Sequence, residues 1–81
     1  MSKIKDQIRA FVVGNFLFGN NGDLEDNTSF LEEGIIDSTG ILELVGYLEE
    51  EFPITVEDEE LIPENLDSIN NVAAYLQSKI N

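Results

Sequence analysis

Cysteine and histidine are both missing from this chain. Without cysteine there is no disulfide framework, no redox motif and no thiolate metal site. Without histidine, a Ser-His-Asp triad, a Cys-His pair and a His-ligated zinc are all excluded from this chain alone. Positive charge is scarce. Four Lys and Arg stand against seventeen Asp and Glu, for a formal net charge of -13. Lys3, Lys5 and Arg9 lie at the start of the sequence and Lys79 near its end, with no basic residue and sixteen acidic ones between Ala10 and Ser78. Such a surface repels nucleic acid and anionic lipid. It attracts and steers a partner that carries a basic patch. Long apolar runs are also lacking. No stretch approaches the roughly eighteen consecutive apolar residues of a membrane span. The segment MSKIKDQIRA has charges but neither an apolar centre nor a small-residue cleavage site, so it does not read as a secretory signal. The expectation is a soluble, cytoplasmic protein with no membrane span.

What is present is enough apolar material for one core. Hydrophobic residues make up 42% of the 81 positions, which excludes a wholly disordered acidic tail. The length suits a single domain over residues 1–81. So small a domain must use every apolar stripe it has.

Ile4, Ile8, Phe11, Val12 and Phe16 recur at helical spacing, which predicts an amphipathic first helix over residues 2–16. Gly19, Asn20, Asn21 and Gly22 break it. A long loop follows to Asp37, with Ser29 and Glu32 at capping-box spacing and a short turn ending at Gly34. Phe30, Leu31, Ile35 and Ile36 predict that this loop folds onto the core. Asp37 or Ser38 caps a second helix whose stripe is Ile41, Leu44, Val45, Leu48 and Phe52, and Pro53 ends it. Thr55 and Asp58 suit the cap of a short third helix over residues 56–62, stopped by Pro63. Asp67 or Ser68 caps a fourth helix with Ile69, Val72, Ala73, Leu76 and Ile80 inward. The expected fold is all-α: a four-helix bundle of three longer helices and one short third helix, with a long loop between helices one and two. Ile8, Phe11, Leu44, Leu48, Phe52, Val72 and Leu76 are expected to line its interior.

Three constellations invite a chemical reading. The carboxylates Glu49 to Glu51 and Glu57 to Glu60 lie on exposed helical positions where neighbours point apart, so a solvated face outweighs acid–base catalysis. A calcium loop before Gly22 fails, because Leu17 and Gly19 occupy ligand positions. No metal site is expected. The third constellation is Gly34-Ile35-Ile36-Asp37-Ser38-Thr39-Gly40. Ser38 has no base to make it a nucleophile, so the chain is not expected to be an enzyme. A plain helix cap is the simpler reading, and Asp67-Ser68 repeats the dipeptide further on. Around Ser38, however, Leu42 lies one turn on and outside the inner stripe, and Glu43, Glu49 and Glu50 flank the row. An exposed serine, a small apolar spot and an acidic rim describe a docking surface, with the serine a substrate for another protein's chemistry.

The run Phe30-Leu31-Glu32-Glu33-Gly34-Ile35-Ile36-Asp37-Ser38, followed by Leu44-Val45-Gly46-Tyr47-Leu48-Glu49-Glu50-Glu51-Phe52, resembles the acyl carrier protein family over nearly the whole chain. The resemblance implies a four-helix bundle. It implies that a phosphopantetheinyl transferase moves 4'-phosphopantetheine from coenzyme A to the serine matching Ser38, which makes the carrier a phosphoprotein. The arm's thiol then holds acyl or aminoacyl groups as thioesters, so the missing cysteine arrives with the prosthetic group. By the same resemblance Asp37 and Thr39 shape the attachment site, and Leu42, Glu43, Glu49 and Glu50 form the partner face. The implied partners are the transferase, an acyl or aminoacyl ligase, and an acyltransferase or synthase with a basic docking patch; the carrier is expected to be a monomer. Members in fatty-acid synthesis usually follow the serine with leucine and an acidic residue. Here Thr39 and Gly40 stand in those places. The departure favours a specialised carrier for a polyketide, non-ribosomal peptide, surface polymer or modified lipid over a housekeeping fatty-acid carrier. The rival of another class is an acidic interaction or mimic protein that needs no prosthetic group.

Overall fold

The computed structural model describes residues 3–17 and 24–80. Residue 2 and the breaker residues Gly19, Asn20, Asn21 and Gly22 lie outside them. Four α-helices follow in order: α1 Lys3–Phe16, α2 Ser38–Glu51, α3 Pro63–Leu66 and α4 Ile69–Ile80, with a 3-10 turn at Asp58–Glu60 before α3. Both α1 and α3 pack against α4. Among the described residues there is no strand, and no helix is long and apolar enough to cross a membrane.

The 24–37 loop is held as firmly as a helix end. The Ser29 hydroxyl accepts from the Glu32 N–H at 3.1 Å, which is the predicted cap. Gly34 then adopts a positive φ of 71°. The Ile35 N–H reaches the Phe30 carbonyl at 2.8 Å and the Gly34 N–H reaches the Leu31 carbonyl at 3.2 Å. These two bonds form a Schellman closure, which a glycine permits without strain. Phe30 is thereby turned wholly into the core, beside Leu24 and Ile36.

The third helix departs from expectation. Residues 56–62 do not form one continuous helix, and Pro63 starts α3 instead of stopping a helix. The ring fixes φ and removes an N–H that the first helical residue has no use for. It also drives Ile62 to an extended conformation, φ -124° and ψ 153°. Glu57 and Glu60 cap the 3-10 turn reciprocally, in place of Thr55 and Asp58.

Ile8 and Val12, Leu44 and Leu48, Leu66, and Ile69, Val72 and Leu76 meet in a core closed to solvent. Phe11 and Phe52 sit at its border, only partly buried. Phe11 stacks on Tyr47 with ring centroids 4.2 Å apart and meets the edge of Phe16 at 5.9 Å. Ile80 is 43% exposed, because the core ends one turn before α4 does. Tyr75 takes the additional inner place.

Gly40, in the first turn of α2, is buried against the end of α1. A Cβ there would stand 2.8 Å from Ile36 Cγ2 and 2.9 Å from Phe16 Cε1. Ile36 is buried and β-branched, so it yields little. Gly40→Asp is therefore expected to cost about 1–3 kcal/mol through overpacking, outweighing any gain in helix propensity. Urea unfolding measures this, and a variant as stable as the parent would contradict the packing.

Candidate functional site

Helix α2 begins with a side-chain cap. Asp37 is extended, with φ -101° and ψ -171°, and its Oδ1 accepts the Gly40 N–H at 2.7 Å. That bond satisfies one of the orphan donors of the first turn. Since Asp37 caps, Ser38 becomes the first helical residue. Its side chain is exposed, and no described residue bonds its hydroxyl.

The second Asp-Ser dipeptide is set one residue out of phase. Ser68 is the cap of α4, its Oγ accepting the Asn71 N–H at 3.1 Å, and it is only 6% exposed. Asp67 is left outside the helix and bridges to the loop. Its Oδ2 accepts from the Ser29 hydroxyl at 2.5 Å and its Oδ1 from the Leu31 N–H at 2.9 Å. Its backbone carbonyl takes the Phe30 N–H at 2.7 Å. The same two residues thus present a free serine at one helix and a buried serine at the other.

Beside Ser38 lies an apolar cavity of about 320 Å³. Ile41 and Leu42 of α2 line one side, Leu31 another, and Leu61, Ile62, Pro63 and Leu66 a third. Leu42 is 61% exposed and points outward, as its place off the inner stripe requires. Thr39 and Glu43 face a second, more polar cavity on the other side of α2, with Asn15 and Gly34. Glu49 and Glu50 are exposed three turns further on, about 17 Å from Ser38 along the helix axis. Glu49 also has a task within the chain, because its Oε2 accepts the Val56 N–H at 2.9 Å. Ser38 and Leu42 therefore share one cavity, while the named acidic residues spread along and around α2. Leu31, Leu61 and Ile62 were missed as site residues. Leu31 carried an apolar signal, but periodicity has no power over two loop segments joined only in space.

One wall of this cavity follows directly on Glu60. The Glu60 Oε1 accepts from the Glu57 N–H at 3.0 Å, the Lys79 ammonium at 2.9 Å and the Tyr75 hydroxyl at 2.9 Å. These donors, the backbone one foremost, hold its carboxyl at about 2, well below the ordinary 4.5. Burial pushes the Tyr75 hydroxyl up, and its bond to Glu60 pushes the same way. A lowered folded-state value means Glu60 contributes stability above about pH 4.5, and this is lost as the pH falls through about 2. The stability gap between the parent and Glu60→Gln should accordingly be full at neutral pH and shrink over that window. Urea titrations across pH would show it, and a gap independent of pH would refute it.

The site thus offers an exposed hydroxyl beside a largely apolar groove whose lining also includes Asp67. The family model described as "Phosphopantetheine attachment site" matches residues 17–76. A "Probable acyl carrier protein PigG" of a Serratia species is 29% identical over 74 residues, covering 91% of this chain and 85% of that protein. An "Acyl carrier protein" of Helicobacter hepaticus is 32% identical over 73 residues, covering 90% and 92%. Among solved structures, a chain described under "Crystal structure of FAD-dependent dehydrogenase" superposes with a TM-score of 0.76 at 28% identity, over 85% of this chain and 97% of that one. The chain belongs to the acyl carrier protein family. Members are carriers and not catalysts, their prosthetic group is 4'-phosphopantetheine, and they work with a phosphopantetheinyl transferase and with synthases or acyltransferases. The residues here fit that group, with a free hydroxyl to bear it and an apolar groove next to the hydroxyl.

Proposed function

We propose that Ser38 bears the 4'-phosphopantetheine and that the chain is one carrier domain for a specialised biosynthetic pathway. One observation carries the assignment of Ser38. Among the described serines, Ser29 bonds Asp67, Ser68 accepts from Asn71 and Ser78 donates to the Tyr75 carbonyl. Ser38 alone keeps its oxygen free of described partners. Its oxygen would form the phosphodiester with the pantetheine phosphate of coenzyme A, the nucleotide half leaving and the serine proton passing to a base of the transferase. When attached, the group supplies a thiol that holds an acyl or aminoacyl cargo as a thioester.

Asp37 keeps the serine in the first helical position, and Thr39 borders the attachment point. Leu42, Glu43, Glu49 and Glu50 form the face read by partners with basic patches. The specialised role rests on Thr39 and Gly40, since the packing of Ile36 and Phe16 against Gly40 leaves no room for an acidic side chain. A flavin-dependent dehydrogenase that removes two electrons from the tethered cargo is one partner class, suggested by the solved structure that contains a similar chain. The carrier works as a cytoplasmic monomer, in keeping with its charge of -13.

Intact mass tests the central assignment. Incubation with coenzyme A and a broad-specificity phosphopantetheinyl transferase should add one phosphopantetheine, mapped to the peptide containing Ser38. A folded, unmodified chain that gains nothing, or gains it elsewhere, would refute it.

A further inference from the structure

The second Asp-Ser pair has a use that helix capping does not account for. Ser68 alone caps α4, while the Asp67 side chain turns away to the 29–34 turn. Leu31, Glu32, Glu33 and Gly34 are all exposed, so only Phe30 gives that turn a buried anchor. Exposed segments of this kind ordinarily drift. Among the described residues, three hydrogen bonds leave the turn for another part of the chain, and all three end on Asp67. Its carboxylate accepts the Ser29 hydroxyl and the Leu31 N–H, and its carbonyl accepts the Phe30 N–H. Asp67 is itself a fixed post. Its own N–H closes α3 on the Pro63 carbonyl at 3.0 Å, and Leu66 and Ile69 on either side of it are buried.

From the turn the tie runs on to Ser38. The Phe30 carbonyl takes the N–H groups of Ile35 and Ile36 at 2.8 and 3.2 Å. Ile36 is buried, with its Cγ2 packed against Gly40 in the first turn of α2. Asp37 follows at once, and its extended backbone leaves Ser38 in the first helical position. Each link is a hydrogen bond, a packed contact or the chain itself, so a continuous physical path joins Asp67 to Ser38.

We propose that Asp67 is a positioning residue for the attachment reaction at Ser38: by holding the 29–34 turn it keeps the approach to α2 in the arrangement that a phosphopantetheinyl transferase engages. The inference rests on Ser38 as the attachment point. In that reaction the Ser38 oxygen bonds to the pantetheine phosphate, the phosphoanhydride bond to the nucleotide half of coenzyme A breaks, and the serine proton passes to a base of the transferase. Asp67 takes no part in those bonds, because both of its carboxylate oxygens are engaged by the turn. It acts on populations. A turn in place for only a fraction of the time raises the apparent KM in inverse proportion to that fraction, while a carrier once docked reacts at its usual rate.

The test is the initial rate at which a broad-specificity phosphopantetheinyl transferase loads the full apo chain from coenzyme A, at a temperature where circular dichroism shows every variant folded. A parent chain that takes up no arm would overturn the Ser38 reading itself, and this inference with it. Asp67→Ala should raise KM for the carrier about tenfold and leave kcat within about twofold. Asp67→Asn keeps an oxygen for the Leu31 N–H and gains an amide that can donate to Ser29, so it should return KM to within about threefold of the parent. Ser68→Ala is the control for lost stability, since it removes the neighbouring cap of α4 and leaves the bonds of the turn in place. Its KM should match the parent's even where its melting temperature falls as far as that of Asp67→Ala. A merely structural role would lower the melting temperatures and leave KM unchanged in all the folded variants. That result, or a KM raised as much by Ser68→Ala as by Asp67→Ala, would overturn the proposal. Should Asp67→Ala not fold, Ser29→Ala removes the hydroxyl of one of the three bonds and should raise KM about threefold. An unchanged KM there would overturn the proposal equally.

Discussion

Ser38→Ala is expected to abolish uptake of phosphopantetheine and leave the melting temperature where it was, and Ser68→Ala to do the reverse. The two serines follow identical aspartates, so the contrast isolates position from local sequence. The Ser38 hydroxyl is exposed and makes no described bond, so removing it deprives the fold of nothing. The Ser68 hydroxyl caps α4 and is buried, and its loss exposes the Asn71 N–H to no partner. A lost cap costs about 1 kcal/mol. In a domain of this size that lowers the melting temperature by about 4–8 °C. Mass spectrometry and a thermal melt on the same samples decide the matter. An alanine at 38 that still takes the arm would remove the assignment and move the attachment point to another residue.

Phe30→Ala is expected to be the most damaging single change in the loop, at about 3–5 kcal/mol. A chain near 80 residues has only about 5 kcal/mol from its core to lose, so much of the population should be unfolded at 25 °C. The ring is wholly buried. Its backbone is engaged on both sides, donating to the Asp67 carbonyl and accepting from Ile35 and Ile36 at 2.8 and 3.2 Å. Without the ring the Schellman turn has no reason to lie on the core, and Leu31 and the approach to Asp37 lose their support. Phe30→Leu keeps most of the volume and should cost no more than about 1.5 kcal/mol. Urea unfolding followed by far-ultraviolet circular dichroism measures both. An alanine variant as stable as the leucine variant would mean that the loop does not anchor the fold.

The three longer helices were legible because each carries its own evidence. Ile8 and Val12, Leu44 and Leu48, and Val72 and Leu76 each recur four residues apart and lie on one buried stripe. Asp37 and Pro53 bound α2 by local chemistry, and Gly34 ends the loop turn in the same way. The short third helix was misplaced because Pro63 can end one helix or begin another. The choice fell to Glu57 and Glu60, whose capping of the 3-10 turn is fastened by Tyr75 and Lys79 from a distant helix. Ile80 kept the helical period but extends past the last neighbour that could bury it.

The sequence by itself determined the helical class, the acidic surface, the absence of any thiol or imidazole of its own, and a candidate serine at the head of a regular helix. These depend on composition and on contacts within a few residues, where period and capping are decisive. Only the tertiary structure decided which of two identical Asp-Ser pairs keeps a free hydroxyl, since that follows from which residue the helix uses as its cap and from the loop that claims the other aspartate. It alone assembled the groove as well, because Leu31, Leu42 and Ile62 come from three segments that are apart in the sequence and meet only in the folded chain.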